Sequence, residues 1–262
     1  MQCNDKNAKT QNEKEAQPTT HFGYQEVALQ DKTRLVERVF HSVANQYDCM
    51  NDLMSLGLHR IWKYVAIQKA FLRPHQKILD LATGTGDLVR LIARSTNGQC
   101  EIIACDINDT MLQVGRRRLI DEGLITHIDF VQADAEYLPF KAHEFDCITM
   151  AFGLRNVTKK KAALKSMYLC LKPGGKVLIL EFSHPHHPIL STLYELYSFK
   201  VIPTLGNLIA KDKASYQYLV ESIRRHPNQI ALKTMMEEAG FEDVEYINFL
   251  DGIVALHQGY KY

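Results

Sequence analysis

Leu79-Asp80-Leu81-Ala82-Thr83-Gly84-Thr85-Gly86-Asp87 joins a short apolar run, residues 77–81, to residues 87–94, where apolar side chains return at helical spacing. Gly84 and Gly86 carry no Cβ, so the backbone can bend tightly there and come close to a ligand. Outward from this turn the alternation of strand and helix repeats. Residues 101–106 predict a second buried strand and 110–122 a helix, and residues 128–131 a third strand. Residues 145–150 predict a fourth strand. The helix over 159–171 stops at Lys172-Pro173-Gly174-Gly175, and residues 176–182 form the fifth strand. Such alternation builds right-handed βαβ units: an α/β fold whose mostly parallel sheet carries helices on both faces.

The flanks complete the plan. Upstream, helices are expected from Lys32 to about Tyr47 and from His59 to Phe71. Downstream, a helix from Asn228 to Ala239 ends at Gly240, and strand-like runs follow near 243–249 and 253–259. Only Leu250-Asp251-Gly252 separates those two runs, which makes them an antiparallel pair at the C-terminal edge of the sheet. Residues 1–20 are a polar arm without the apolar core of a signal peptide, and residues 21–262 read as one domain. Within that domain, 21–75 are N-terminal helices and 190–225 an aromatic-rich insertion that covers substrate.

Composition excludes several classes. With 31 basic and 30 acidic residues the chain has no global field for nucleic acid. No apolar stretch approaches the ~20 residues a spanning helix needs. Six cysteines without a C-x-x-C pair give neither a disulfide framework nor a zinc site, and point to a reduced, cytoplasmic compartment. His184, His186 and His187 lie among prolines with no completing acid, so no metal is expected.

The chemistry gathers at strand ends. Asp106 closes the second strand, 20 residues after Gly86, where a carboxylate accepts both hydroxyls of an adenosine ribose. Asp134-Ala135, after the third strand, offers a carboxylate beside a small residue for an adenine amino group. A glycine turn plus an acid also serves dinucleotides, so a nicotinamide-dependent oxidoreductase is the competing enzyme reading, and a donor-binding protein without catalysis the non-enzyme one. Asp87 at the helix start argues against a diphosphate and for a cationic sulfonium ligand. Asp80 either meets the ligand or caps the amides of the glycine turn.

Together, D-x-A-x-G-x-G at 80–86, Asp106, Asp134-Ala135 and L-K-P-G-G at 171–175 resemble the Rossmann-like core of class I S-adenosylmethionine-dependent methyltransferases. His21-Phe22-Gly23-Tyr24, residues 50–55, Phe152-Gly153-Leu154-Arg155-Asn156-Val157 and the ending at 257–261 are similar to the ubiquinone/menaquinone biosynthesis C-methyltransferase family, from about residue 21 onward. The resemblance implies S-adenosylmethionine as donor, with Thr85, Asp106, Asp134 and Ala135 binding it. It also implies C-methylation of demethylmenaquinol and of 2-methoxy-6-polyprenyl-1,4-benzoquinol. Where the family often has Ser, this chain has Ala151.

Carbon methylation needs an electron-rich ring, and a phenol with a pKa near 10 needs help to ionise. Arg155 and Asn156 follow the fourth strand on the ligand-binding edge. Arg155 could stabilise an oxyanion, while Asn156 and Tyr47 orient the hydroxyl; the plain alternative is Arg155 salt-bridged in a loop and Tyr47 packing its ring. A lipidic substrate calls for peripheral contact with the inner face of the membrane, made transiently. A homodimer or a larger quinone-biosynthesis complex stays open.

Overall fold

The computed structural model describes residues 18–43, 51–52, 55–188, 192, 194, 196–198 and 213–262. Tyr47, most of the polar arm and half of the 190–225 insertion lie outside the described residues.

Five strands run parallel: β3 (Lys77–Leu81), β4 (Glu101–Asp106), β5 (Ile128–Gln132), β6 (Phe145–Ala151) and β7 (Leu171–Phe182). Side chains alternate between two apolar cores, as the two-residue period of a strand requires. Ile78, Ile102, Ala104, Leu178 and Leu180 face one core, with Trp62, Ala66 and Ile67 of α2 (His59–Ala70) and Val89 and Ile92 of α3 (Asp87–Ser95). Leu79, Leu81, Ile103, Ile148 and Ile179 face the other, with Leu164 and Met167 of the helix over Lys160–Cys170 and Leu232 and Met236 of the helix over Gln229–Ala239. Both faces are covered, which is why these strands read as continuous apolar runs rather than alternating ones.

The order across the seven-stranded sheet places β5, β4, β3, β6 and β7 side by side, followed by the C-terminal pair. That pair is β8 (Glu242–Phe249) and β9 (Val254–Tyr260), joined at Leu250–Gly252. Their antiparallel pairing is as expected from the short turn. The last strand, β9, is antiparallel to β7 as well and lies between β7 and β8, one place in from the rim. Its apolar run Val254-Ala255-Leu256 is fully buried, while in the rim strand β8 only Val244 is buried.

Chain direction across the sheet reverses at β3, which pairs with β4 on one side and β6 on the other. Such a switch point opens a crevice at the carboxyl ends of the strands. Helix α4 (Asp109–Asp121) follows β4 and is capped by the Asn108 side chain, which accepts from Met111 N at 3.1 Å. The helix over Lys160–Cys170 is α5.

The N-terminus departs from the expectation. Residues 19–28 form a hairpin, β1 (Thr19–Phe22) and β2 (Gln25–Ala28), and α1 (Leu29–Val43) starts three residues before Lys32. A lone two-stranded hairpin is marginal in water. Here it docks on α6 (Lys213–Arg225): Tyr24 N donates to Glu221 Oε2 at 2.9 Å, and Phe22 stacks on Tyr218 with ring centroids 4.1 Å apart. These partners are 197 residues apart for the hydrogen bond, beyond the reach of local sequence patterns. The helix over Gln229–Ala239, α7, begins at its expected Asn228 cap and ends at Gly240. Among the described residues no helix is long and apolar enough to cross a membrane.

Candidate active site

The glycine turn is held from beneath. Thr83 N donates to Cys105 O at 3.1 Å, tying the turn to β4, and Gly86 N donates back to Thr83 O at 2.9 Å. Gly84 (φ 55°) and Gly86 (φ 81°) take the left-handed backbone that glycine reaches without a Cβ penalty. Helix α4 presses on the turn: a Cβ on Gly115 would stand 2.9 Å from Gly84 O. The reading of the strand ends missed this supporting contact of Gly115; its only sequence signal is a glycine within a helical pattern.

Asp106 lies at the end of β4. Its carboxylate accepts from Gly84 N and Asn108 N, both at 2.9 Å, and burial raises its pKa. Asp134 caps the next turn, accepting from Glu136 N at 2.9 Å. Gly84, Asp106, Asp134 and Ala135 line one cleft, about 840 Å³ of empty space partly open to solvent.

Three other expected donor-binding positions sit away from that cleft. Asp80 is buried and accepts from the hydroxyls of Thr83 and Thr149, each at 2.6 Å. Burial pushes its pKa up to about 7 against those two hydrogen bonds. It braces the turn through hydroxyls, which neither expected role, ligand contact or amide cap, described. Thr85 is buried beside it, and Gly86 is enclosed against Leu119.

Asp87 requires a correction. Its carboxylate was expected to tune the turn toward a cationic ligand. It instead pairs with Lys63 Nζ at 2.7 Å and Arg118 at 2.8 Å. Burial opposes its ionisation, but the Lys63 and Arg118 charges outweigh that and hold its pKa down to about 2. Two cations already compensate this acid, so it cannot act as the attracting charge.

Other acids supply that field. Glu37, Asp106, Asp134 and Glu136 line the cleft, and no Lys, Arg or His does so among the described residues. Glu37, with Thr33 and Val36, comes from α1, which lies across the cleft. In the sequence these residues read only as one turn of an amphipathic helix.

The opposite wall is a short 3-10 turn, Leu154–Asn156, after β6. It abuts the glycine turn so closely that a Cβ on Gly153 would collide with Ala82 Cβ. Ala82 (φ 51°) and Phe152 (φ 56°) flank this contact in left-handed backbone without being glycine. Such conformations cost about 1 kcal/mol or more each and persist only where neighbours fix them.

The turn sends consecutive side chains opposite ways. Asn156 lines the cleft. Arg155 points inward, its side chain fully buried, and its Nη1 pairs with Glu181 Oε1 at 2.8 Å and donates to Phe152 O. Glu181 Oε2 also accepts Arg155 N at 3.1 Å. The guanidinium therefore does not contact the cleft, and its geometry is the salt-bridged alternative. Lys160 completes the support, donating to Val157 O at 3.0 Å and Arg155 O at 3.3 Å. Burial and the neighbouring Lys32 charge push its pKa down to about 8.

The three histidines of the 184–187 loop hold separate partners. His184 meets His226 O, His186 meets Asn248, and His187 N donates to Asp251. No group of three or more potential metal ligands occurs among the described residues.

Known proteins share this plan. The model of the ubiE/COQ5 methyltransferase family matches residues 27–261. The chain is 57% identical over 244 residues to the ubiquinone/menaquinone biosynthesis C-methyltransferase UbiE of Shewanella halifaxensis, covering 93% of this chain and 97% of that protein. It is 56% identical over the same shares to the UbiE of Shewanella oneidensis. Among solved structures, a SAM-dependent methyltransferase from Aquifex aeolicus superposes with TM-score 0.60 at 13% identity, over 81% of this chain and 97% of that one. Phosphoethanolamine N-methyltransferase 2 of Haemonchus contortus, in complex with S-adenosyl-L-methionine, gives 0.57 at 19%, over 76% and 52%. At such identities these two establish the fold alone.

Proposed function

The chain belongs to the ubiE/COQ5 methyltransferase family, and we infer from the family and the cleft together that it methylates a ring carbon of a prenylated quinol in ubiquinone and menaquinone biosynthesis. S-adenosylmethionine is the methyl donor. The observation that carries this reading is the charge of the cleft: four acidic side chains and, among the described residues, no Lys, Arg or His, at the switch point of a parallel sheet. That field suits a ligand bearing a sulfonium and an ammonium, and opposes a pyrophosphate.

Residue roles follow from position. Asp106 accepts the ribose hydroxyls, and Asp134 with Ala135 receives the adenine edge. Gly84 lets the backbone approach, and Thr85, Gly86 and Asp80 keep the turn in shape. Glu37 and Glu136 complement the positive charge. When bound, the donor supplies an electrophilic methyl group, and the protein's task is chiefly alignment. Asn156 orients the ring hydroxyl, and Tyr47 shares that role. Arg155, neutralised by Glu181, and Lys160 act by holding the turn that carries Asn156. The prenyl tail leaves by the 190–225 side, where the protein, cytoplasmic and peripheral, touches the inner membrane face.

The test uses purified protein, methyl-labelled S-adenosylmethionine, and reduced demethylmenaquinol or 2-methoxy-6-polyprenyl-1,4-benzoquinol in separate detergent assays. Label is expected on a ring carbon of both. Label on one alone narrows the enzyme to one pathway; donor binding with neither labelled removes the substrate assignment.

A further inference from the structure

Tyr218 of α6 donates its hydroxyl hydrogen to Asn156 Oδ1 at 3.0 Å, across 62 residues of sequence. Asn156 lines the cleft and Tyr218 does not. An amide presents opposite chemistry at its two ends, an acceptor at Oδ1 and a donor at Nδ2. A ring hydroxyl losing its proton needs a donor beside it, so which end faces the cleft decides whether Asn156 helps or hinders. Tyr218 occupies the acceptor end.

Tyr218 is itself fixed. Its ring is buried and stacked on Phe22, with 15° between the planes. The hairpin that carries Phe22 is pinned one turn along α6, where Glu221 Oε2 accepts Tyr24 N. Burial also pushes the Tyr218 phenol well above its usual range, so it stays a proton donor.

We propose that Tyr218 is a positioning residue, whose hydroxyl locks the Asn156 amide with Nδ2 toward the ring oxygen of the acceptor. This rests on the reading of Asn156 given above. The N-terminal hairpin thereby serves both halves of the site: its following helix α1 covers the donor cleft, while its Phe22 seats the tyrosine that aims the acceptor contact.

Tyr218→Phe removes one oxygen and leaves the stacked ring. It is expected to lower kcat about tenfold, the scale of one oriented hydrogen bond, with the quinol KM and the donor Kd unchanged within about twofold. The double variant Tyr218→Phe/Asn156→Ala should be no slower than Asn156→Ala alone, because the hydroxyl acts only through the amide. A Tyr218→Phe enzyme with the parent's kcat, or one whose loss is matched by weaker donor binding, overturns the proposal. If Asn156→Ala keeps the full rate, the reading of Asn156 falls and takes the proposal with it. If Asn156→Ala is slow and Tyr218→Phe is not, only the proposal falls.

Discussion

The two walls of the cleft are built differently. The proposed donor wall is local: Gly84, Asp106, Asp134 and Ala135 follow the ends of β3, β4 and β5, each placed by the strand before it. The acceptor wall is composite. Its turn at Leu154–Asn156 depends on Glu181 of β7, 26 residues on, and on Tyr218 of α6, 62 residues on. A wall made of strand ends tolerates loss of one contact. A wall held by a buried ion pair does not, because removing either charge leaves the other uncompensated.

The largest expected effect therefore lies on the acceptor side. Glu181→Gln should cost ~3 kcal/mol of stability in urea titration and most of the methyl transfer, while folded protein still binds donor with parental Kd. Donor affinity lost in parallel would erase the distinction between the walls. Asp106→Ala comes next. It should weaken donor binding about 100-fold, the loss of two charge-assisted hydrogen bonds, and cost about 1–2 kcal/mol of stability because Gly84 N and Asn108 N lose their acceptor, as read by calorimetric titration beside a thermal melt. An unaltered Kd would remove Asp106 from the donor site.

The smallest effect concerns the brace beneath the donor turn. Burial raises Asp80 from the ordinary carboxylate range to about 7, so between those values the folded chain holds a proton that the unfolded chain has released. Its contribution is full below about pH 4 and is lost as pH rises through 7. Asp80→Asn should flatten the fall in stability by under ~1 kcal/mol between pH 6.5 and 7.5, measured as the difference from the parent so that Asp106, raised in the same sense, cancels. A variant with the parent's slope would mean that Asp80 does not titrate in this range.

The same division explains what could be read from sequence. The order of β3 to β7, the glycine turn, and the place of Asp106 and Asp134-Ala135 along the cleft were legible because each strand is a contiguous apolar run and each of these residues ends or closely follows one. Asp87 misled: an acid at a helix start reads as an open charge, and its neutralising partners Lys63 and Arg118 stand 24 and 31 residues away. Arg155 and Asn156 were found as a pair, but only the 3-10 turn decides that one faces in and the other out. Glu37 had no signal beyond helical periodicity. The hairpin at 19–28 stayed hidden because α6 supports it from across the chain. Tyr47 lies outside the described residues.

The place of β9 bears on how the polypeptide is made. Synthesis delivers β8 before the strand that connects it to the sheet, so β8 has no docking edge until Val254–Tyr260 has left the ribosome. Until then β7 presents an open row of amides and carbonyls, the kind of edge on which nascent chains aggregate. The strands that carry the donor wall have all emerged by then. A stalled chain ending before Val254 would thus carry the glycine turn together with an open β7 edge, and the pairing of β9 is the step that covers that edge.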